Sequence, residues 1–321
     1  MMFFSIVRTF SFKRIINFAY SIINYFFLKV KVLPNPNNQP ITITLELSSI
    51  CDLACPECPT GMGKVKRDSQ FMSFEMAKTI IDAHSKSTMV AILYFQGEPF
   101  LNPHWFDIIS YAHTKRLYTL ISTNAQSISL HDCEKIIESG LDQLIISADG
   151  AEQAVYEQYR VGGNFSKITD TLINLKTLKE SKRSKTPKVI YQTLLSKHTE
   201  FNTKNIKQSA LKWGANKVVF KTMQIYDQSK ENLAKWQPKT KAYRRVNKIN
   251  KNDSRIICWR ALTNAVYTTD GALVPCCFDK LAEHTFGTIA KNAWGSERRK
   301  TFLKKLSNGK IYPVICKNCN Y

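Results

Sequence analysis

The sequence predicts an α/β fold, a partial (β/α)6 barrel of the TIM type followed by a small cysteine-rich module. Two observations support this prediction. Apolar runs typical of strands alternate with amphipathic runs typical of helices, and five of the nine cysteines lie in the last fifth of the chain. Strands that alternate with helices form parallel βαβ units. With 321 residues, 44% of them apolar, the chain can build one large domain and a smaller companion.

Six runs have the composition of strands, and helical patterns separate them. The strands are predicted at 41–47, 89–95, 117–122, 143–147, 188–194 and 217–222. The helices are predicted at 73–85, 103–114, 129–139, 151–159, 165–181 and 201–213. The chain is therefore divided into an N-terminal helix and linker (1–40), the barrel (41–222), a basic linker (223–257) and the C-terminal module (258–321).

The N-terminal segment is apolar and aromatic, with no charge from residue 15 to residue 28. That span is too short to cross a bilayer, which needs about 20 residues. Polar residues recur every three or four positions, at Arg14, Asn17, Ser21 and Asn24. This spacing predicts an amphipathic helix that either packs on the protein or makes a peripheral membrane contact through residues 1–32. No small-residue cleavage site of a secretory signal follows it.

The net charge is +21, and two stretches, 176–188 and 235–255, are rich in Lys and Arg. Solvated helix faces and a linker explain such stretches, but so does attraction to an anionic partner. The cysteines are clustered, and no secretory signal is convincing. This favours metal ligands in a reducing compartment over a disulfide framework, so we expect a cytoplasmic location.

Unusual segments follow the first four predicted strands. The first strand runs into CDLACPECP (51–59), the second into QGEP (96–99), the third into TNA (123–125) and the fourth into SADG (147–150). Parallel strands bring their carboxyl ends to one rim, where α/β proteins gather their active sites. We therefore expect these distant segments to form one site.

Cys51, Cys55 and Cys58 place three soft thiolates in one short loop, and such ligands select zinc, copper or iron–sulfur. A closed zinc site needs four protein ligands, and no fourth Cys or His lies nearby in sequence. Three ligands leave one metal position open, which is an arrangement typical of catalysis.

The loop CDLACPECP resembles the signature of the radical S-adenosylmethionine (SAM) enzymes. The resemblance implies that the three cysteines hold a 4Fe–4S cluster whose unique iron binds SAM. It further implies reductive cleavage of SAM to a 5′-deoxyadenosyl radical, which abstracts a hydrogen atom from the substrate.

The same resemblance implies a set of SAM contacts. QGEP is similar to the family's GGEP segment, and SADG and the arginine of YRVGGNF also have counterparts near SAM. The implied contacts are Gly97, Glu98, Pro99, Asn124, Ser147, Asp149 and Arg160. The arginine would pair with the SAM carboxylate, a role that suits the guanidinium fork.

Some of these positions differ from the family pattern or allow another structural role. Gln96 replaces the first glycine of GGEP, and Glu57 stands where the family often has an aromatic residue near the adenine. Thr123 and Asn124 could instead cap the following helix. Cys133, which stands apart, is expected to fill a gap in the core.

The C-terminal tail carries a second set of thiols. Cys258, Cys276, Cys316 and Cys319 suffice for one closed metal site, and AVYTTDGALVPCC reads as a hairpin that delivers a cysteine to it. The tail resembles the SPASM and twitch modules of radical SAM enzymes, which implies an auxiliary 4Fe–4S cluster on these four residues. Cys277 is the alternative to Cys276, because adjacent strand residues point to opposite faces. Zinc is the alternative metal.

These features predict a radical SAM enzyme that needs an electron donor such as a flavodoxin or ferredoxin. We expect it to oxidise or cross-link a peptide or protein, or to dehydrogenate a small metabolite. The alternative is a basic iron–sulfur or zinc protein that binds RNA or modifies tRNA, whose affinity would fall steeply with salt. Nucleic acid is the less favoured partner, and the sequence identifies no catalytic side chain for the substrate.

Overall fold

The structure is a computed structural model that describes residues 7–30, 38–245, 258–308, 314–316 and 319. Its centre is one sheet in the order β6-β5-β4-β3-β2-β1-β7-β8. The strands are β1 (Thr42–Leu45), β2 (Val90–Ile92), β3 (Tyr118–Thr123), β4 (Gln143–Ser147), β5 (Lys188–Leu195), β6 (Lys217–Thr222), β7 (Asn264–Tyr267) and β8 (Leu273–Val274). The helices are α1 (Phe12–Lys29), α2 (Phe74–His84), α3 (Trp105–Thr114), α4 (Leu130–Glu138), α5 (Gln153–Tyr156), α6 (Phe165–Ser181), α7 (Thr203–Trp213), α8 (Lys230–Trp236), α9 (Trp259–Thr263) and α10 (Glu297–Asn308).

The first six strands confirm the predicted parallel α/β architecture. Each pairs in parallel with its neighbour, as β3 does with β4 through Ile121 opposite Leu144. Helices follow each of β1 to β6 along the chain. Burial on both faces explains why a strand such as β4, QLIIS, is continuously apolar at its centre. Six parallel strands with helices between them agree with the predicted partial TIM-type barrel.

The helices begin where polar side chains cap free backbone amides. Ser73 Oγ accepts a hydrogen bond from Met76 N at the start of α2. Ser129 and Asp132 form a reciprocal capping box at α4. Asn164 Oδ1 accepts a hydrogen bond from Ser166 N at α6. These polar residues precede amphipathic runs in the sequence, which is why the helix positions could be predicted.

The C-terminal hairpin forms as predicted, but it also extends the barrel sheet. β7 and β8 pair antiparallel across the turn that contains Gly271, which has φ +76°. β7 also pairs in parallel with β1, with Ala265 opposite Ile43. The predicted module is thus continuous with the sheet, because the buried edge of β1 gains its hydrogen bonds from β7.

Much of the segment 223–257, predicted as a basic linker, is folded. Helix α8 lies within it, and Trp236 at its end is 1% exposed and packs edge-on against Tyr159 and His198. Glu200 also accepts hydrogen bonds from the backbone of this segment, at Lys239 and Thr240. Residues 246–257 lie outside the described part of the chain.

The predicted N-terminal helix is α1, which begins after Ser11. Its polar stripe faces the body of the protein, and its apolar side chains face outward. Among the described helices, none has the length and apolar character needed to span a bilayer.

Candidate functional site

The structure brings the predicted strand-end segments to one cavity of about 170 Å³. Strands β1 to β4 all deliver residues to it, although they are separated by up to about 100 positions in sequence. From the predicted set, the cavity is lined by Cys51, Cys55, Cys58, Gly97, Glu98, Asn124, Ser147 and Arg160. Two further candidates do not line it. Asp149 stands beside Arg160, and Pro99 begins a buried turn.

The cysteine loop is folded tightly around backbone contacts. Cys58 N donates to Cys55 O at 3.1 Å, and Ala54 N donates to Val161 O at 3.0 Å. A Cβ on Gly61 would lie 2.6 Å from both the amide nitrogen and the carbonyl oxygen of Cys55. Gly61 therefore lets the chain pass directly against the middle cysteine. Sequence reasoning missed this residue, although the glycines of CPTGMG were a signal for close backbone approach.

Gly97 is the residue of QGEP that only glycine can occupy. Its φ is +64°, and a Cβ there would lie 2.4 Å from the carbonyl oxygen of Ser48. The next residue, Glu98, donates its amide to Ile50 O at 2.8 Å. The second strand end is thus joined to the start of the cysteine loop. Gln96 is buried beside it without disturbing these contacts.

Glu98 ties the second strand end to the third. Its carboxylate accepts hydrogen bonds from Thr123 Oγ1 at 2.7 Å, from Asn124 N at 2.8 Å and from Phe100 N at 3.2 Å. Burial raises the pKa of Glu98 to about 7, although these hydrogen bonds oppose the rise. The alternative in which Thr123 and Asn124 cap the next helix is wrong, because Ser129 is the N-cap of α4.

Asn124 faces the cysteine loop. Its Nδ2 donates to Asp52 Oδ1 at 2.6 Å and lies 3.5 Å from Cys51 Sγ. The amide can therefore orient Asp52 and contact the first thiol at the same time.

Arg160 is held against the cavity by one edge of its guanidinium. Its Nε donates to Asp149 Oδ2 at 2.7 Å, and Asp149 Oδ1 accepts from Leu194 N at 2.6 Å. The arginine side chain is 15% exposed, and the guanidinium lies on the cavity wall with Cys55. An arginine oriented in this way can bind a carboxylate. Nearby, Ser122 Oγ and Ser147 Oγ lie 3.1 Å apart.

Glu57 turns away from the cavity. Its two carboxylate oxygens accept from Tyr226 N at 2.6 Å and from Asn232 Nδ2 at 2.8 Å. The departure noted at this position therefore has a structural use: the carboxylate attaches the folded segment after β6 to the cysteine loop.

The chemistry of the loop thiols fits metal ligation better than nucleophilic catalysis. Burial raises the pKa of Cys51 to about 12 and that of Cys55 to about 11. A nucleophilic cysteine needs a lowered pKa, whereas a metal ligand gives up its proton when the metal binds. Among the described residues, no three His, Cys, Asp or Glu side chains converge on a single ion site. A 4Fe–4S cluster instead takes one thiolate for each iron, and a loop with three cysteines fits it.

The tail cysteines gather in a second, more apolar place. Cys258 and Cys316 pack against a cluster of buried residues on α1, α9 and α10: Leu28, Ala261, Leu262, Leu303 and Leu306. Burial raises the pKa of Cys316 to about 12, and the neighbouring thiols Cys258 and Cys319 add to the rise. Burial also raises the pKa of Cys276, and its neighbour Cys277, followed by Cys258 and Cys316, adds to the rise. The predicted thiols therefore lie in one region of the structure, which Cys277 shares.

Cys277 is oriented differently from its neighbour. Its Sγ lies 3.3 Å from Arg260 Nη1. It also raises the pKa of Tyr94, which lines the first cavity, although burial is the larger cause. Cys277 therefore faces the space between the two sets of thiols. Sequence reasoning missed Tyr94, Thr60 and Tyr159 as lining residues, because no motif marks them.

Two family models match the chain. The radical SAM superfamily model covers residues 45–186, and the model of an iron–sulfur cluster-binding domain, SPASM, covers residues 258–320. Together the matched ranges make up more than half of the chain. The domain types implied by the cysteine motifs are confirmed.

Three curated relatives match the chain in part. Mycofactocin maturase MftC of Mycolicibacterium smegmatis is 31% identical over 42% of this chain and 34% of its own length. AdoMet-dependent heme synthase of Methanosarcina barkeri is 26% identical over 45% and 40%. PqqA peptide cyclase of Rhodopseudomonas palustris is 26% identical over 39% and 32%. The chain thus matches only about a third to two fifths of the length of these relatives.

The fold agrees with solved structures over most of the chain. Streptococcus suis SuiB bound to precursor peptide SuiA has a TM-score of 0.63 and 13% identity, with 90% of this chain and 78% of SuiB covered. Radical SAM proteins with a SPASM domain use SAM and 4Fe–4S clusters, including an auxiliary cluster, and the donor sets described above fit these cofactors. The chain belongs to the radical SAM superfamily and carries a C-terminal SPASM domain.

Proposed function

We propose that this protein is a radical SAM enzyme that modifies a peptide or protein. The observation that carries the proposal is the convergence of three thiols, a glycine-based loop and a fixed arginine on one cavity at the carboxyl ends of the strands. Cys51, Cys55 and Cys58 would hold the cluster, which would supply the electron for reductive cleavage of SAM and thereby hydrogen abstraction from the substrate. The protein's own residues hold, orient and shield these groups.

We assign Cys51, Cys55 and Cys58 as the ligands of the SAM-binding cluster. The support is their shared position on one cavity wall and the raised pKa of Cys51 and Cys55, which argues against a nucleophilic role. Asn124 would orient the loop through the hydrogen bond that its Nδ2 donates to Asp52 Oδ1 at 2.6 Å.

We assign the SAM contacts around this loop. The Gly97–Pro99 backbone would receive the amino group, since Gly97 allows a close approach of main chain to ligand. Arg160 would bind the carboxylate, with Asp149 fixing the guanidinium from behind. Ser147 would lie near the ribose. Glu98 serves mainly to hold two strand ends together through Thr123 and Asn124.

We assign Cys258, Cys276, Cys316 and Cys319 to an auxiliary 4Fe–4S cluster. Four thiolates would leave no iron open, and a fully ligated cluster can accept an electron from a substrate radical. The net reaction would then be an oxidation or a cross-link. The first cluster would need an external reductant such as a flavodoxin or ferredoxin, and we place the protein in the cytoplasm, where clustered thiols stay reduced.

Peptide substrates are favoured over small metabolites on three grounds. Two relatives are named as a maturase and a peptide cyclase, and a fold neighbour was solved with a precursor peptide. A small metabolite is the alternative substrate, because a third relative is named as a heme synthase. A further cavity of about 180 Å³ is lined by residues of 223–245, including Arg244 and Arg245, in the segment that Glu57 joins to the cysteine loop, and it could receive part of a larger substrate.

Anaerobic reconstitution with dithionite and SAM tests the reaction class. We expect 5′-deoxyadenosine from the wild type, and we expect Cys316→Ala to retain this product while losing turnover of the substrate. The Cys55→Ala variant is the negative control. Absence of the nucleoside together with salt-sensitive RNA binding would overturn the proposal in favour of the RNA-binding alternative.

A labelling experiment tests the substrate class. The source organism is grown on deuterated amino acids, and its extract is separated into peptide and small-metabolite fractions. Wild-type enzyme with the peptide fraction should place deuterium in 5′-deoxyadenosine, because the abstracted hydrogen comes from the substrate. Deuterium from the metabolite fraction alone would overturn the peptide assignment and leave the radical SAM assignment intact.

A further inference from the structure

Helix α1 presents its apolar side chains to the outside of the protein. Among the described residues, twelve of the nineteen exposed large apolar side chains lie between residues 7 and 30, including Phe12 at 79% and Ile15 at 51% exposed. Monomeric soluble proteins rarely expose so large a contiguous apolar patch unless the patch binds something.

The orientation of α1 is fixed by its polar face. Arg14, 5% exposed, donates through its guanidinium to the carbonyl oxygens of Thr9, Ser85, Lys115 and Arg116. These carbonyls belong to the segment before α1 and to the chain ends that follow α2 and α3, so one guanidinium ties the helix to both of these ends. Because a buried guanidinium without acceptors is costly, rotation of the helix to bury its apolar side would break the whole set.

Asn17 fixes the next turn of α1 in the same orientation, with its polar side facing inward. Its Nδ2 donates to Gln39 O at 3.0 Å and to Ser87 O at 3.2 Å, and its Oδ1 accepts from Gln39 N at 3.0 Å. Ser21, which follows one turn later, is fully buried. The outward apolar face is thus imposed by an inward polar face along three successive turns.

The surroundings of the exposed face are basic. The first acidic residue of the chain is Glu46, so α1 and its flanking segments carry no negative charge. A cavity of about 300 Å³ borders the helix and is lined by Lys13, Lys86, Tyr20 and Ile16, together with polar groups of Asn17, Asn38, Gln39 and Ser87. Lysines at the edge of an apolar face suit the phosphate of an anionic lipid.

We propose that the apolar face of α1 lies on an anionic bilayer surface. The helix would insert shallowly, with Phe12, Ile15 and Ile23 in the acyl region and Lys13 and Lys86 at the level of the headgroups. Charge favours this occupant over a second copy of the chain, because two copies would bring the same basic residues against each other.

The proposed membrane face lies opposite the SAM site. Arg14 and Arg8 bind carbonyl oxygens at Ser85, Lys115 and Leu117, which directly precede strands β2 and β3. The first cavity lies at the other ends of these strands. A protein held on the bilayer by α1 would therefore keep the mouth of its barrel turned toward the solvent, where a substrate could still enter.

Vesicle flotation of the full chain, reconstituted anaerobically, tests the proposal. The vesicles are phosphatidylcholine alone, or phosphatidylcholine mixed with phosphatidylglycerol. We expect flotation with the mixed vesicles, weakened by high salt, and little with the neutral ones.

Matched variants separate the apolar and basic contributions. The triple variant Phe12→Gln, Ile15→Gln, Ile23→Gln should lower the partition coefficient at least tenfold (an order-of-magnitude expectation). Its control is Leu130→Gln, Phe201→Gln, Leu211→Gln, which removes exposed apolar side chains elsewhere. Lys13→Gln with Lys86→Gln should lower binding to mixed vesicles roughly tenfold, while Lys204→Gln with Lys207→Gln should change it little.

Three results would overturn the proposal: no flotation with either vesicle, equal flotation of the wild type and the apolar triple variant, or equal loss with its control. Sedimentation velocity identifies the rival occupant. A dimer of the wild type that the triple variant converts to a monomer, without any vesicle binding, would assign the face to a second copy of the chain. Thermal unfolding of each variant shows that the fold is kept.

Discussion

The two sets of cysteines differ in what surrounds them. The first set lies on an open cavity beside Arg160, Asn124 and the glycine-based loop at Gly97, so polar groups can reach whatever binds there. The second set, called here the enclosed site, lies against aliphatic residues of α1, α9 and α10, although each set has one buried thiol and the others are half-buried. An open polar position suits a metal that takes an exogenous ligand, whereas apolar enclosure suits a metal that only exchanges electrons.

Secondary structure accounts for this difference. The first loop follows a central strand of a parallel sheet, where the carboxyl ends of four strands provide polar groups from every side. The second set lies around the edge hairpin β7–β8, with Cys258 as the N-cap of α9 and Cys276 after β8, and the neighbouring helices provide mainly packing. The comparison therefore predicts that substitutions at the two sites affect SAM cleavage, cluster content and SAM binding differently.

The largest effect is expected at the open site. Cys55→Ala should reduce formation of 5′-deoxyadenosine to below roughly a thousandth of the wild-type rate, because the proposed SAM-cleaving cluster would lose a ligand. Iron should fall from about eight to about four atoms per chain. Cys133→Ala is the matched control, since this thiol is fully buried in the core away from both sites. Full activity in Cys55→Ala would remove the distinction between the two sites.

The second-largest effect should distinguish the adjacent thiols Cys276 and Cys277 at the enclosed site. Cys276→Ala should lose about four irons per chain, whereas Cys277→Ala should keep them, because Cys277 Sγ lies 3.3 Å from Arg260 Nη1 and Cys276 interacts with Cys258 and Cys316. Iron analysis and the absorbance of the two variants, side by side, measure the difference. The opposite result would place Cys277 in the ligand set.

A smaller effect is expected from the arginine of the open site. Arg160→Lys should raise the KM for SAM by roughly 10- to 100-fold with a lesser change in kcat, because lysine cannot bind Asp149 and a carboxylate through one planar fork. Arg183→Lys, far along the chain on the surface, is the control. An unchanged KM would show that the open cavity receives SAM without this residue.

The elements and the convergence of the first site could be predicted because both follow from local patterns. Alternating apolar runs mark the strands, capping residues such as Ser73 and Ser129 mark helix starts, and parallel strands share one rim. Cysteine spacing then marks the site. None of these signals depends on a distant partner.

The features that could not be predicted depend on contacts between residues that lie far apart in the sequence. Nothing local in the sequence says that β7 pairs with β1, that Glu57 holds Tyr226, or that the polar stripe of α1 faces inward. The last case is the clearest, because an amphipathic period gives the two faces of a helix but leaves open which one is buried. Here the decision rests on carbonyl oxygens that lie about 70 to 100 positions away from Arg14.

The smallest predicted effect concerns the contact that joins the enclosed site's hairpin to the barrel. His84 at the end of α2 lies with its Nε2 2.8 Å from Tyr267 Oη on β7, and among the described residues its Nδ1 has no hydrogen-bond partner. Burial lowers the pKa of His84 to about 4, below its unfolded value near 6.5, because a buried imidazolium would lose its hydration and Nδ1 has no acceptor. The neutral ring stabilises the fold fully above pH 6.5, and this stability is lost as the pH falls toward 4.

Between pH 7 and pH 5 the free energy of unfolding should therefore fall by about 2 kcal/mol through His84 alone. His84→Gln should remove this part of the pH dependence, whereas His131→Gln, at a site 69% exposed, should leave it in place. Denaturant midpoints of the anaerobic protein, followed by tryptophan fluorescence, give the difference between the variants. Equal pH dependence in His84→Gln and the wild type would show that the ionisation of His84 is not linked to folding, and that its contact with Tyr267 does not stabilise the junction between hairpin and barrel.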